Sequence, residues 1–181
     1  SQAFSEVENI QGGSDVDTFN LNTAASFTNV SGGAGNDIFS VTTASAANLL
    51  GEGGTDTITL TANLTGNVDG GTEGDTINLT GNAGTVTGGA GTDTINYTSG
   101  TFTALQGGSE SDTLVGPNAA TTWTLDGAQS GSLGSQAFSE VENIQGGSDV
   151  DTFNLNTAAS FTNVSGGAGN DIFSVTTASA A

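Results

Sequence analysis

The chain has 181 residues and a net charge of −19, because its nineteen acidic side chains are accompanied by no Lys, Arg or His. Without basic side chains it lacks the surface that attracts phosphate backbones or anionic lipid head groups, so we expect no nucleic-acid partner and no membrane insertion. It also lacks Cys, and with no His, Cys or Lys to act as base or nucleophile we expect no enzymatic activity. The 29 glycines and single proline predict a thin, repetitive core.

Two nested repeats organise the chain. Residues 1–47 recur without a change as residues 135–181, which sets a long period of 134 residues. We therefore interpret 1–181 as one continuous segment with a long repeat at 1–134 and the start of a second. Within it, glycine-rich motifs follow one another every 18 to 20 residues. The interval of 39 residues from Gly107 to Gly146 accommodates a degenerate unit near Gly127, which predicts seven short units in each long repeat.

In chain order, each short unit reads as a strand, a glycine-rich turn, a second strand and a second turn. Before the glycines, one apolar column runs through Val30, Leu49, Val68, Val86, Leu105, Leu125, Ile144 and Val164. After them, a second column runs through Phe19, Phe39, Ile58, Ile77, Ile95, Leu114, Phe153 and Phe173. Apolar residues recur two places further on, and Thr, Asn and Ser lie between them, a period of two that predicts strands with one buried face.

These elements predict an all-β fold, a parallel β-solenoid resembling a β-roll. Each coil of about 19 residues would hold two short strands, and coils stacked about 4.8 Å apart would create a core that no single coil can form. The rule for crossovers between parallel strands favours a right-handed coil. We expect no helix, since no window has an apolar period of 3.6 residues. Trp123, Phe138 and Val141 are assigned to packing around the degenerate unit.

The glycine-rich turns carry a nonapeptide pattern. Residues 32–40 read GGAGNDIFS and residues 88–96 read GGAGTDTIN, and variants bring the number of such places to eight. These segments resemble the calcium-binding nonapeptides of repeats-in-toxin (RTX) proteins, and TTWTLDGAQSGSLGSQAFSEVENIQGGSDVDTF resembles a segment common in large, repetitive bacterial surface proteins. The resemblance implies that turn carbonyls and a motif aspartate bind calcium between successive coils. The implied aspartate ligands are Asp17, Asp37, Asp56, Asp75, Asp93, Asp112, Asp151 and Asp171. The first glycines of the same motifs are Gly12, Gly32, Gly51, Gly70, Gly88, Gly107, Gly146 and Gly166.

Elementary electrostatics independently favours a cation at these turns. Stacked coils place motif carboxylates about one coil spacing apart. Two neighbouring carboxylates at that distance repel each other by roughly 1 kcal/mol in water, and the repulsion energy is larger at the lower effective dielectric constant of a protein. A divalent cation removes this repulsion, and carboxylate and carbonyl oxygens on a flexible loop suit calcium. Since only one turn in each coil carries the motif, we expect one ion ladder, with a gap at Ser132. The alternative is that the loops are glycine turns whose acids are solvated.

Four variant loops carry an acid at the fourth position, where the pattern has glycine. A left-handed backbone conformation could be required there, so these loops could be distorted or could gain a carboxylate ligand. The four residues are Asp15, Glu73, Glu110 and Asp149.

The predicted function is structural: a segment of a secreted or cell-surface fibre, such as an adhesin stalk, sheath or matrix filament, rigidified by calcium. The expected partners are calcium ions and neighbouring copies of the repeat, with end-to-end assembly into filaments as one form. The alternative is a surface-binding or ice-binding solenoid that uses outward threonines such as Thr57, Thr59 and Thr61. Those rows are interrupted by other residues, at Asn20, Ser40, Asn78, Asn96 and Val115.

Overall fold

The computed structural model describes residues 7–24 and 27–176 and shows an all-β parallel solenoid of about nine turns. The predicted fold class, coil length of about 19 residues and two strands per coil are confirmed. Over the described ranges there is no helix, hence none able to cross a membrane. The strands are β1 (Asn9–Gln11), β2 (Thr18–Leu21), β3 (Asn29–Ala34), β4 (Ile38–Val41), β5 (Asn48–Gly53), β6 (Thr57–Leu60), β7 (Val68–Thr72), β8 (Thr76–Leu79), β9 (Thr85–Ala90), β10 (Thr94–Tyr97), β11 (Ala104–Ser109), β12 (Thr113–Val115), β13 (Thr122–Gly127), β14 (Ser130–Leu133), β15 (Gln136–Ser139), β16 (Asn143–Gln145), β17 (Thr152–Asn156), β18 (Asn163–Ser165) and β19 (Ile172–Thr176).

The strands form two sheets, and the chain passes from one to the other through two turns per coil. The eleven-stranded sheet has the order β1-β3-β5-β7-β9-β11-β15-β14-β13-β17-β19, and the eight-stranded sheet has the order β18-β16-β12-β10-β8-β6-β4-β2. Neighbouring strands are parallel except where β14 contacts β13 and β15. We call the passage from the eleven-stranded to the eight-stranded sheet the first turn, and the return the second turn.

The core consists of the two predicted apolar columns, each lying in register within one sheet through the first six coils. In the eight-stranded sheet, Ile58, Ile77 and Ile95 are direct neighbours, and in the eleven-stranded sheet Val30 pairs with Leu49 and Leu49 with Val68. All of these side chains are buried. The period-two pattern therefore identified the inward positions correctly, because alternate residues of a strand face the same side.

The degenerate unit differs from the coil that we expected near Gly127. β13, β14 and β15 form an antiparallel meander inside the eleven-stranded sheet. Gln129, with φ of 54°, and Gly134, with φ of 60°, supply the left-handed residues at the two chain reversals. Trp123 of β13 is fully buried, Val141 has no exposed area either and Phe138 is 3% exposed, which confirms their assignment to packing. The Trp123 ring stacks on Phe153 with centroids 5.6 Å apart.

The meander changes the phase of the long repeat. A regular coil would place residues 122–127 in one sheet and residues 136–139 in the other, but the meander keeps both in the same sheet. From β2 to β17, which share the sequence TFNL, the chain completes six and a half coils instead of seven. The duplicated strands consequently lie in opposite sheets: β2 is in the eight-stranded sheet and β17 is in the eleven-stranded sheet. The same exchange separates β3 from β18 and β4 from β19.

Candidate metal centre

The motif aspartates form a continuous hydrogen-bonded column at the first turn. One carboxylate oxygen, Oδ1, of each aspartate accepts the backbone N–H of the motif aspartate in the preceding coil, at 2.6 Å from Asp37 to Asp56 and 2.7 Å from Asp56 to Asp75. We call this column the long ladder. Its members are Asp17, Asp37, Asp56, Asp75, Asp93, Asp112 and Glu142.

Strand periodicity explains why these carboxylates point inward. Asp37 lies two positions before Phe39 and four before Val41, so the three side chains share the inward face of the strand and its approach. Phe39 and Val41 have no exposed area, and Asp37 has 1%. Asp56, Asp93 and their equivalents are buried in the same way, so the acids sit at the end of the apolar core and not on the surface of the loop.

The second carboxylate oxygen of these aspartates faces the first glycine of its own motif. An added Cβ at Gly107 would lie 2.7 Å from Oδ2 of Asp112 and would also meet the carbonyl oxygen of Glu140. In the coils before it, the corresponding Cβ would meet Oδ2 of the loop's own aspartate and the carbonyl oxygen of the first glycine in the next coil. The predicted site glycines from Gly12 to Gly107, and Gly146 after them, therefore leave room for two oxygens, one carboxylate and one carbonyl.

Five of these inner oxygens are buried without a hydrogen-bond partner among the described residues, which costs free energy unless a proton or a cation compensates. They are Oδ2 of Asp37, Asp56, Asp75, Asp93 and Asp112.

Burial raises the pKa of four carboxyls of the long ladder. Loss of hydration, with a smaller contribution from neighbouring carboxylates, raises the pKa of Asp75 to about 7 and that of Asp112 to about 7. The same causes raise the pKa of Asp56 to about 6. The pKa of Asp93 is also raised, chiefly by burial. The backbone N–H donated to each carboxylate acts in the opposite direction but does not outweigh burial.

Glu142 belongs to the ladder although we did not predict it. Its Oε2 accepts the backbone N–H of Asp112 at 2.7 Å, and it is 8% exposed. It occupies the place where we expected a gap at Ser132, which instead lies in the antiparallel strand β14. The sequence held a signal for it, because Glu142 precedes the inward Ile144 by two positions, the same spacing that joins each motif aspartate to its strand.

The two remaining motif aspartates lie at the other side of the solenoid. The backbone N–H of Thr121 donates to Oδ1 of Asp151 at 2.9 Å, and that of Asp151 donates to Asp171 at 2.9 Å. This short ladder, Asp151 and Asp171, lies at the second turn, because β16 and β18 precede it in the eight-stranded sheet. Our expectation of one ladder was wrong: the half-coil phase of the meander transfers the duplicated motifs to the opposite turn.

The acids at variant positions adopt two conformations. Glu73 and Glu110, at the fourth position, have φ of 70° and 82°, so the left-handed requirement inferred from glycine is confirmed there. Glu52, at the second position of its motif, has φ of 72°. Asp15 and Asp149 do not have positive φ. The Glu73 carboxylate accepts the backbone N–H of Gly54 at 2.9 Å, so it joins adjacent loops and does not enter the interior column.

The donor set fits a hard cation. Over residues 7–24 and 27–176 no three acidic side chains converge on one point, so a bound ion would need main-chain ligands as well. The carboxylate and carbonyl oxygens that face each first glycine supply both kinds. Oxygen-only ligands are those that calcium prefers.

The outward face of the eight-stranded sheet carries a short column of threonines, which are direct neighbours in register. They are Thr57, Thr76, Thr94 and Thr113. In the adjacent outward column, Asn78 donates to Thr59 at 3.2 Å and Asn96 donates to Asn78 at 2.9 Å. Amide links therefore replace threonine in that second column.

Comparison with known proteins yields no relative: no family model, no curated protein and no solved structure matches the chain.

Proposed function

We propose that the chain is a structural segment of a secreted or cell-surface fibre whose solenoid is stabilised by calcium bound along its ladders. The observation that carries this proposal is the interior column of carboxylates in a chain without any basic side chain. Five oxygens of that column have no partner among the described residues. Positive charge for them has to come from solution.

Calcium suits the column better than protons at neutral pH. Its residues would be the motif aspartates, together with the carbonyl oxygens that share the space over the first glycines. When bound, calcium supplies the positive charge that offsets the repulsion between carboxylates of successive coils. Glycine at the first motif position keeps this space open. The aspartates lie an even number of positions before the inward residues of the following strand, so their carboxylate oxygens also point into it.

A repeated site favours a structural role over catalysis. The same loop, with the same carboxylate and glycine contacts, recurs from coil to coil and at both turns of the solenoid. Repetition of one kind of site along the described coils suits a spacer or stalk, which needs a uniform rod. We therefore propose a role without enzymatic activity.

Calcium dependence also favours a place outside the cell. A ligand that binds the folded state stabilises it, and metal binding to a site absent from the unfolded chain contributes directly to folding. The chain would then stay largely unfolded where calcium is scarce, as in cytoplasm, and fold after export. We propose an extracellular or cell-surface location on this ground.

The test is far-UV circular dichroism of the purified chain in chelator during titration with calcium, with magnesium as the control ion. We expect a transition from coil to β structure that calcium produces and magnesium does not, because magnesium demands a strict octahedral set of ligands. Full β structure in chelator, unchanged by calcium, would refute calcium-dependent folding and leave a metal-free rod.

A second candidate function is binding to an ordered surface such as ice. The column Thr57, Thr76, Thr94 and Thr113 favours it, since it presents one threonine per coil on a flat face. The amide-linked column beside it makes this candidate the weaker one. Absence of thermal hysteresis in the folded chain would eliminate it.

A further inference from the structure

The eight glycine-rich loops adopt two backbone conformations. In six of them the second and fourth residues of the motif have positive φ, between 70° and 123°. We call these six the open loops. The other two carry the sequence GGSDVD, at 12–17 and 146–151, and have no positive φ at either position. We call these two the closed loops, because the difference in conformation changes what faces the motif aspartate.

In the closed loops a backbone N–H covers the inner oxygen of the carboxylate. Gly13 donates to Oδ2 of Asp17 at 2.7 Å, and Gly147 donates to Oδ2 of Asp151 at 2.8 Å. In the open loops of the long ladder the same oxygen is buried and has no partner among the described residues. The aspartates concerned are Asp37, Asp56, Asp75, Asp93 and Asp112.

The positive φ of the second residue accounts for this difference. In the open loop of Asp112, the N–H of Gly108, with φ of 122°, donates to the carbonyl oxygen of Glu140 at 3.2 Å. It therefore bonds to the next coil and not to the carboxylate of its own loop. The inner oxygen is left facing the space over the first glycine.

The duplicated sequence shows that the residues of a loop determine its conformation. GGSDVD is closed at the first turn, at 12–17, and at the second turn, at 146–151. GGAGND is open at both turns, with φ of 102° at Gly33 and 84° at Gly167. The closed loop at 146–151 has a described coil on each side, since β16 lies between β12 and β18 and β17 between β13 and β19. Its closure is therefore not caused by a missing neighbour.

We propose that calcium occupies the open loops and that the closed loop GGSDVD is a metal-free turn in each long repeat. This rests on the calcium-stabilised fibre proposed above and deepens it by naming the loops that hold the ion. A buried oxygen without a partner gains most from a cation. Oδ2 of Asp151 would first have to give up the hydrogen bond from Gly147.

Two aspartates illustrate the difference at equal burial, since neither Asp93 nor Asp151 has exposed area. Asp151 accepts the N–H of Thr121 on Oδ1 at 2.9 Å and that of Gly147 on Oδ2, so two backbone donors stabilise its charge without a metal. Asp93 accepts one N–H on Oδ1, from Asp75 at 2.7 Å. Its Oδ2 instead shares the space over the first glycine of its loop with a carbonyl oxygen of the next coil.

The spacing of the closed loops divides the ladder into blocks. The two copies of GGSDVD lie one long period apart, and the loops between them that begin at Gly32, Gly51, Gly70, Gly88 and Gly107 are all open. Calcium would therefore bind in a block of neighbouring loops in each long repeat. Successive blocks would be separated by the meander and by a turn that its own hydrogen bond keeps closed.

Native mass spectrometry tests this division, because it counts the calcium ions on the folded chain. The test variant is Asp93→Asn in an open loop, and the matched control is Asp151→Asn in a closed loop. An amide keeps one oxygen to accept the ladder N–H, so both substitutions remove a carboxylate charge and retain that bond. We expect Asp93→Asn to bind one calcium ion fewer than the unchanged chain, and Asp151→Asn to bind the same number.

A second variant, Asp149→Gly with Val150→Asn, tests for the gain of a site. It gives the closed loop the fourth and fifth residues of GGAGND, the sequence that is open at both turns. Both residues are exposed, so the apolar core is not changed. We expect this variant to bind one calcium ion more than the unchanged chain.

Equal losses of calcium from Asp93→Asn and Asp151→Asn, a loss from Asp151→Asn alone, or no loss from either would overturn the proposal. Circular dichroism in calcium shows whether each variant is folded. If Asp151→Asn does not fold, the second variant decides, and a count equal to that of the unchanged chain would overturn the division. An unchanged chain that folds and binds no calcium would refute the calcium-stabilised fibre itself, which is a separate outcome.

Discussion

At the scale of single residues, the strand that follows each motif aspartate determines its environment. Asp75 precedes the inward Ile77 and Leu79 by two and four positions, and all three are buried together. A carboxylate held in this way is stabilised by one backbone N–H and destabilised by loss of water. Its ionisation therefore depends on a cation, and the protonated form competes with that cation.

This competition predicts opposite effects of pH with and without calcium. In chelator, the folded chain keeps protons on Asp75 and Asp112 up to pH about 7, whereas the unfolded chain keeps them only to about pH 4. The free energy of unfolding should therefore fall as pH rises from about 4 to 7 and level off above that. Calcium requires the deprotonated ligands, so the stability that calcium adds should grow over the same range.

The measurement is the fraction of β structure by circular dichroism at pH 5 and pH 8. In chelator we expect more β structure at pH 5 than at pH 8, and in calcium we expect the difference to shrink or reverse. More β structure at pH 8 than at pH 5 in chelator would contradict the assignment of protons to the ladder.

Two glycines of one loop give a matched prediction about the space over the motif. Alanine at Gly51 would press its Cβ against Oδ2 of Asp56 and the carbonyl of Gly70, whereas alanine at Gly53 would have its nearest atoms at 3.6 and 3.7 Å. We expect Gly51→Ala to lower the free energy of unfolding by about 1–3 kcal/mol through overpacking, and Gly53→Ala to change it by less than about 0.5 kcal/mol. Urea unfolding of both variants in calcium measures this. Equal losses would mean that the first glycine is not needed for room.

At the scale of elements, sequence patterns predicted the regular coils but not the meander. Strands such as Thr57–Leu60 can be identified from the sequence by strict alternation, because their threonines face outward and their aliphatic residues face the apolar interior. The antiparallel reversal at Gly134 had a signal too, a two-residue Gly-Ser turn between alternating segments. We missed it because counting glycine pairs suggested one more coil. The number of sheet crossings, which decides the phase, depends on both reversals of the meander.

Glu142 was missed for a related reason. Searching for a glycine pair before each ligand excludes an acid that follows the meander, although its spacing to Ile144 equals that of every ladder aspartate. Whether an acid joins the ladder depends on two things: how many residues separate it from the inward positions of the following strand, and which neighbouring strand that strand pairs with. β16 lies beside β12, with Ile144 opposite Leu114, and this register places Glu142 on Asp112. The sequence pattern could supply the spacing but not the register.

The duplicate of Glu142 provides its own control. Glu8 has the same neighbours in sequence, V-E-N-I, but lies exposed in the first described coil. We expect Glu142→Ala to lower the free energy of unfolding by about 1–3 kcal/mol, because it leaves the buried N–H of Asp112 without an acceptor. Glu8→Ala should change it by less than about 0.5 kcal/mol. Urea unfolding of both variants measures this, and equal effects would show that Glu142 does not close the ladder.

At the scale of the whole molecule, the solenoid accepts the same sequence in either sheet. The segment FTNVSGGAGNDIFSV occurs at 27–41 and at 161–175, and its two strands exchange sheets between the copies. Both sheets therefore offer an equivalent environment of parallel neighbours and an apolar interior. Two long repeats in tandem would place their ladders on opposite sides, about 31 Å apart along the axis at about 4.8 Å per coil. A fibre built in this way has no single charged edge.

These identical segments also make the stability of the free end measurable by hydrogen exchange. Peptides from 27–41 and 161–175 have the same mass and the same intrinsic exchange rates, so any difference in protection arises from their places in the solenoid. β4 is paired on both edges, but β19 is paired on one among the described residues, which leaves alternate amides such as those of Phe173 and Val175 facing outward. For a dilute folded chain, mass spectrometry should therefore show two isotope envelopes of equal intensity, one slow and one fast. A single slow envelope would contradict this, because it would mean that pairing on one edge protects β19 as well as pairing on both edges protects β4.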